Sequence, residues 1–206
     1  MHPIFDSFET AYIEMQNVLP LLRDYAKPHD LVARLVKKGD LIRLKNGFFV
    51  IAAKIQKTPV PFAQIATLLY GPSYLSFEWA LSYYGMIPEG VFVMTSASAI
   101  KEKSYRTPLG TFDYHSLSHF RYCVGIDRQE NSGGKFLIAT PEKALADLIH
   151  RKSKNLQGKD LILDLVEARR IDEDVLKSLN KNHLLEIADG YRSKTVTNLI
   201  NALGLL

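Results

Sequence analysis

The chain has 206 residues, of which 47% are hydrophobic and 23% charged, and its net charge is +4. That length holds one ordinary domain or a small domain followed by a medium one, and the composition is that of a globular protein with a real core. No apolar run approaches the roughly 20 residues of a membrane-spanning helix, and no membrane partner is expected. Met1-His2-Pro3-Ile4-Phe5-Asp6 lacks the basic and apolar regions of a secretory signal. Cys123 is the only cysteine. It excludes an internal disulfide and a zinc site built from several thiolates, so a reducing, cytoplasmic setting is expected.

Charge is unevenly spread. From Lys27 to Lys57 there are eight basic residues (Lys27, Arg34, Lys37, Lys38, Arg43, Lys45, Lys54, Lys57) and two acidic ones (Asp30, Asp40). That segment carries +6 against +4 for the whole chain, leaving −2 on the remainder. A basic segment on a slightly acidic body fits either a polyanion partner or a solvated lysine-rich surface.

In chain order, Phe5, Phe8, Tyr12 and Met15 have near-helical spacing, predicting a helix from Phe5 to about Asn17. A second short helix is predicted from Pro20 through Tyr25. Pro28 suits the first turn of a third helix, and Gly39 the position just past its end. Leu31, Val32, Leu35 and Val36 form its apolar face. Arg34 and Lys37 project from the other side, with Lys38 on the flank. Asn46-Gly47 predicts a tight hairpin through a type I′ turn. Pairing Lys45 with Phe48 and Leu44 with Phe49 puts Ile42, Leu44, Phe49 and Ile51 on the core face. Arg43, Lys45 and Phe48 then fall on the outer face. A helix, a glycine stop and a basic hairpin are the order of a recognition helix followed by a wing.

Lys54 to Pro61, with two prolines and two lysines, reads as an extended linker. The predicted division is therefore a winged helix-turn-helix over residues 1–56 and a larger domain over 57–206. In the second region helices are expected over Phe62–Tyr70 and Ser73–Tyr84. Strands are expected over Val91–Thr95, Thr111–Leu117, His119–Val124, Ile126–Arg128 and Lys135–Ala139, with a turn at Asn131-Ser132-Gly133-Gly134. Thr140-Pro141-Glu142 starts a helix with a cap, an N1 proline and an early acid, running to about His150. Helical segments near Leu161–Ala168, Glu173–Asn180, His183–Ala188 and Thr195–Leu203 finish the chain. Strands followed by helices predict an α+β fold with a helical C-terminus.

Motifs for chemistry are sparse. The sequence contains neither GxxxxGK[ST] nor GxGxxG, and no HExxH. Cys123 reads as a small buried residue in a strand. Asp113, Glu142, Lys143 and Asp147 would suit a Mg²⁺-dependent nuclease site if they converged. The plainer reading makes Glu142 a helix N-terminal acid and Lys143–Asp147 an ordinary surface pair four residues apart. No catalytic residue, cofactor or metal is expected on that reading.

The basic unit points to double-stranded DNA. A winged module lays a helix in the major groove, and its hairpin touches backbone or minor groove. Arg34 suits a base edge, because arginine satisfies both acceptors of guanine. Lys27, Lys37, Lys38 and Lys45 suit phosphates, Arg43 suits either, and His29 and Asn46 complete the candidate set.

Three segments carry a family resemblance. Leu35 to Phe49 resembles the N-terminal winged helix of AbiEi-type antitoxins, commonly RLxKxGxLxRLxxGxY, with Phe49 at the tyrosine position. Tyr74-Leu75-Ser76-Phe77-Glu78-Trp79-Ala80-Leu81-Ser82-Tyr83-Tyr84-Gly85 resembles the family's YxSxxSALxxHG segment, with Tyr84 where histidine is frequent. Thr140 to Asp147 is similar to its xPExxLxDxL helix start. The resemblance implies a transcriptional autorepressor and antitoxin of a bacterial abortive-infection, type IV toxin–antitoxin system. Such a protein binds inverted repeats in its own promoter. Its C-terminal domain counters a nucleotidyltransferase-like toxin, with no stable complex required. The alternatives are a winged-helix regulator whose C-terminal domain binds a ligand or protein, and a nuclease.

Overall fold

Two β-sheets and the helices laid on them make a mixed α+β fold. The computed structural model describes residues 3–56, 58–131 and 134–204. Lys57 of the basic count, Met1 and His2, and Ser132 and Gly133 of the predicted turn lie outside them.

The N-terminal part departs from the predicted helices. Pro3–Ser7 is a short 3-10 turn, Tyr12–Glu14 is a strand (β1), Met15–Val18 is a single helical turn (α1), and Leu19–Leu22 is again 3-10. The apolar spacing from Phe5 to Met15 serves a strand because Tyr12–Glu14 supplies an edge to a hairpin that comes later in the chain. The third helix forms as expected. Pro28–Lys37 (α2) has its proline in the first turn and buries Leu31, Val32 and Leu35. Strands β2 (Leu41–Lys45) and β3 (Phe48–Ile51) follow, and the sheet order is β1-β3-β2, antiparallel throughout.

The hairpin register differs from the predicted one. Lys45 does oppose Phe48, but Arg43 opposes Phe49, Ile42 opposes Val50 and Leu41 opposes Ile51, with the irregularity at Leu44. Gly47 has φ +76, whereas Asn46 does not share a positive φ, so the turn is not type I′. A one-residue shift exchanges the faces. Ile13, Leu41, Phe49 and Ile51 pack with α2 in one cluster. Leu44, Phe48 and Val50 enter a second, larger cluster formed by the rest of the chain. The hairpin is thus covered on both sides. Phe48 is 1% exposed and Val50 is fully buried. At about 1.5–3 kcal/mol for each large apolar side chain removed from water, these contacts hold the hairpin on the larger unit.

That unit is built on a six-stranded sheet of order β6-β7-β5-β4-β9-β8. Its strands are β4 (Ser73–Leu75), β5 (Met94–Ser98), β6 (Lys103–Thr107), β7 (Gly110–Ser116), β8 (Ile126–Asn131) and β9 (Gly134–Ala139). The pairs β4–β9 and β5–β7 are parallel and the rest antiparallel. Helix α3 (Phe62–Leu69) matches its predicted span. Ser73–Leu75 is a strand and not the start of a helix, and α4 covers only Phe77–Tyr83. Strand β5 begins at Met94, leaving Phe92 outside it and 94% exposed. His119–Tyr122 is a one-turn helix (α5) in place of the predicted strand, and Cys123 at its end is exposed, not buried. Helices α6 (Pro141–Lys152), α7 (Gly158–Leu163), α8 (Glu173–Lys177), α9 (Lys181–Tyr191) and α10 (Lys194–Leu203) follow. A π-helical turn over Asp164–Ala168 extends α7. No helix among the described residues is long and apolar enough to cross a membrane.

Candidate nucleic-acid interface

Helix α2 buries its apolar stripe and turns the rest of its circumference to water. His29, Arg34, Lys37 and Lys38 are exposed, as is Lys27 before the helix. Among the described residues, neither Arg34 nor Lys37 has a carboxylate within ion-pair distance. Both lie in the last helical turn, where the partial negative charge of the helix end favours cations. Lys38 differs. Its ammonium lies 3.4 Å from Asp40, and Lys54 lies 2.9 Å from the other carboxylate oxygen of the same residue. Asp40 is 3% exposed, and Lys54 foremost, with Lys38, holds its carboxyl below the usual range. Part of the cationic character of Lys38 and Lys54 is therefore neutralised inside the protein.

The bulge at Leu44 separates the hairpin residues that the sequence pattern groups together. Arg43, paired with Phe49, stays on the α2 side of the sheet. Its guanidinium lies 5.8 Å from the Phe49 ring centroid, and the residue is exposed. Lys45, paired with Phe48, faces the larger unit. Its ammonium donates to the Leu69 carbonyl at the end of α3. Phe48 stacks on Tyr12, with centroids 5.6 Å apart, and is buried. Arg43, Lys45 and Phe48 do not form one basic outer face. Asn46 at the tip is exposed, and the Gly47 carbonyl accepts from the Met15 amide at 2.8 Å. Arg34 and Lys37 of α2 and Arg43 of β2 are exposed, with His29, Lys27 and Lys38 near the first two in the chain.

The four residues of the nuclease-like reading do not converge. Asp113 lies on β7, in a shallow cleft with His115 and Arg151. Glu142 accepts from the Asn180 amide at 2.9 Å and lies 3.1 Å from His183 Nδ1, so it braces α9. No group of three or more His, Cys, Asp or Glu among the described residues is placed to hold a metal.

Lys143 and Asp147 are not a surface pair. Both side chains are 0% exposed, and the lysine ammonium donates to Asp147 Oδ1. The same carboxylate accepts from Ser76 Oγ at 2.7 Å, Tyr191 Oη at 3.0 Å and Tyr74 Oη at 3.2 Å. The ammonium lies 4.8 Å from the Tyr191 ring centroid and 5.5 Å from that of Tyr74. Burial pushes the Lys143 pKa down against the pull of Asp147, and pushes both tyrosine hydroxyls up, with Asp147 adding to the rise. One buried carboxylate with four donors ties β4, the start of α4, α6 and α9 together. Phe77, held at φ 57 directly after Ser76, makes the sharp strand-to-helix corner that aims Ser76 inward. Gly125 at φ +66 is equally constrained, because a Cβ there would stand 2.7 Å from Lys143 Cβ. The local sequence does not mark this network: Lys143, Asp147, His150 and Arg151 share one stripe about 100° wide, the pattern of a solvated face, and the partners from β4, the start of α4 and α9 are what bury the pair.

No protein-family profile matches the chain, and no curated protein sequence matches it. The fold has a solved counterpart. The crystal structure of the RV2827C protein from Mycobacterium tuberculosis superposes with a TM-score of 0.58 at 11% identity, over 98% of this chain and 74% of that one. At that identity the likeness concerns the fold alone.

Proposed function

We propose that the chain is a double-stranded DNA-binding transcriptional regulator whose N-terminal module acts as a winged helix-turn-helix. The observation that carries this reading is the placement of Arg34, Lys37 and Arg43. All three are exposed on the α2 side of one small sheet, and none is paired with a carboxylate among the described residues. A cation that contributes nothing to an internal ion pair is free to replace the counterions of phosphate, and that exchange supplies much of the affinity for a duplex. Arg34 takes the base-reading role, and Lys37 and Arg43 contact the backbone. His29 and Lys27, at the start of α2, extend the contact, with Asn46 at the hairpin tip. Lys45 leaves the candidate set, because its ammonium is committed to Leu69.

The resemblance to AbiEi-type antitoxins supports a more specific role: autorepression from inverted repeats in the gene's own promoter, and a C-terminal domain that counters a nucleotidyltransferase-like toxin. Two of the segments that carry that resemblance, Tyr74–Gly85 and Thr140–Asp147, meet in the buried Tyr74–Ser76–Asp147 network. The test is a gel shift with the purified protein on duplex from upstream of its own gene, with an unrelated duplex as competitor. Retention of the upstream duplex that survives competitor is expected. Equal displacement by any duplex would remove sequence-specific reading, and cleavage in Mg²⁺ would favour the nuclease alternative.

A further inference from the structure

The larger unit brings its own cations to the hairpin. The edge strand of the small sheet, β2, lies against β6, the edge strand of the large one. The junction is fixed at adjacent points. Lys45 donates to the Leu69 carbonyl, and the hydroxyl of the next residue, Tyr70, donates to the Lys101 carbonyl at 3.0 Å. The Tyr70 ring packs against Tyr105 and Tyr114, with centroids 6.2 and 5.1 Å away. Lys101, Lys103 and Arg106 are exposed and without a carboxylate partner among the described residues. Glu102, the acid between the lysines, is engaged by Arg151 at 2.9 Å.

Strand alternation separates these cations. Lys103 opposes Tyr114 and shares a face with Tyr105, over whose ring its ammonium sits at 5.6 Å. That is the face on which Tyr114 donates to Ala66 in α3, the helix that receives Lys45. Arg106 opposes Thr111, and its neighbour on the opposite face is Ser104, paired with Asp113.

We infer that Lys101 and Lys103 extend the nucleic-acid surface across the junction, so that a duplex held by α2 and the hairpin continues along β6 and gives two further phosphates to the larger unit. This rests on the DNA-binding reading above. The hairpin cannot swing to follow a groove independently, because Phe48 and Val50 are buried in the larger unit. The two parts therefore meet the duplex as one body, and the phosphates flanking the hairpin fall to Lys101 and Lys103, the unpaired cations at the β2–β6 junction among the described residues. Such contacts add affinity without sequence information.

The experiment is a salt titration of duplex binding by the full chain, on upstream and unrelated duplexes. It compares wild type, Lys101→Ala/Lys103→Ala, Arg106→Ala and Arg34→Ala/Lys37→Ala, with thermal unfolding recorded for each. The double-lysine variant is expected to lower the slope of log affinity against log salt by about two on both duplexes, and to weaken low-salt binding roughly tenfold. Its unfolding midpoint should stay at the wild-type value, and Arg106→Ala should keep the wild-type slope. A wild-type slope in the double-lysine variant, with binding lost in Arg34→Ala/Lys37→Ala, overturns the inference and leaves the reading of the N-terminal module standing. An equal loss in Arg106→Ala also overturns it, since charge at large would then suffice. Absence of salt-dependent binding by the wild-type chain removes both.

Discussion

The cations Arg34 and Lys37 of α2 and Lys143 of α6 have opposite fates. Arg34 and Lys37 stand in water with no counter-charge among the described residues, whereas Lys143 is wholly enclosed against Asp147, under two tyrosine rings. A lysine in water costs the fold almost nothing and is available to a partner. A lysine in the core costs several kcal/mol in lost hydration and is tolerable only with its carboxylate in place. The same residue type is thus open to solvent in one part of the chain and part of the architecture in the other, and burial separates the two.

The strongest way to break this contrast is Lys143→Met. It strands Asp147 in the core and should reduce unfolding free energy by about 3–5 kcal/mol, read from denaturant titration. Duplex affinity of the protein that remains folded should not change. Lys45→Met tests the middle ground. If Lys45 is a tether, as its bond to the Leu69 carbonyl indicates, stability falls by about 1–3 kcal/mol while the salt slope of duplex binding stays at the wild-type value. A slope lowered by one with unchanged stability would return Lys45 to the phosphate contacts. The smallest effect is in pH. Burial lowers the pKa of both His115 and His150 from the ordinary 6.5, with Arg151 and Arg121 respectively adding to the fall. The unfolded chain therefore binds these protons first. Stability is fully present above about pH 6.5 and declines as pH falls through the window below it. His115→Gln with His150→Gln should flatten that decline in thermal unfolding curves recorded from pH 7 to pH 5.

Helix α2 is readable in the sequence because every local signal agrees: Pro28 in the first turn, four apolar residues at helical spacing and Gly39 after the last turn. The hairpin is readable as an element but not in register. The bulge at Leu44 moves Lys45 and Phe48 to the side that the larger unit covers, and nothing local to Asn46-Gly47 encodes that neighbour. Strands β1 and β6 escape sequence reading for a related reason. Tyr12–Glu14 and Lys103–Thr107 are edge strands with only one pairing partner each, and their patterns are too short or too polar to stand out. The Lys143–Asp147 pair is misplaced by spacing alone because i,i+4 describes a surface pair and a buried one equally. Only the tertiary cover from Tyr74, Ser76 and Tyr191, distant in the chain, distinguishes them.

The proposed assignment of Arg34, Lys37 and Arg43 to a duplex is the one on which the rest depends. The direct measurement is the salt dependence of duplex binding by wild type and by Arg34→Ala/Lys37→Ala/Arg43→Ala, with unfolding free energy determined for both. The expected result is a log–log slope shallower by about two to three, with unfolding free energy within about 0.5 kcal/mol of wild type. An unchanged slope, or a loss of stability that accounts for the loss of binding, would contradict it.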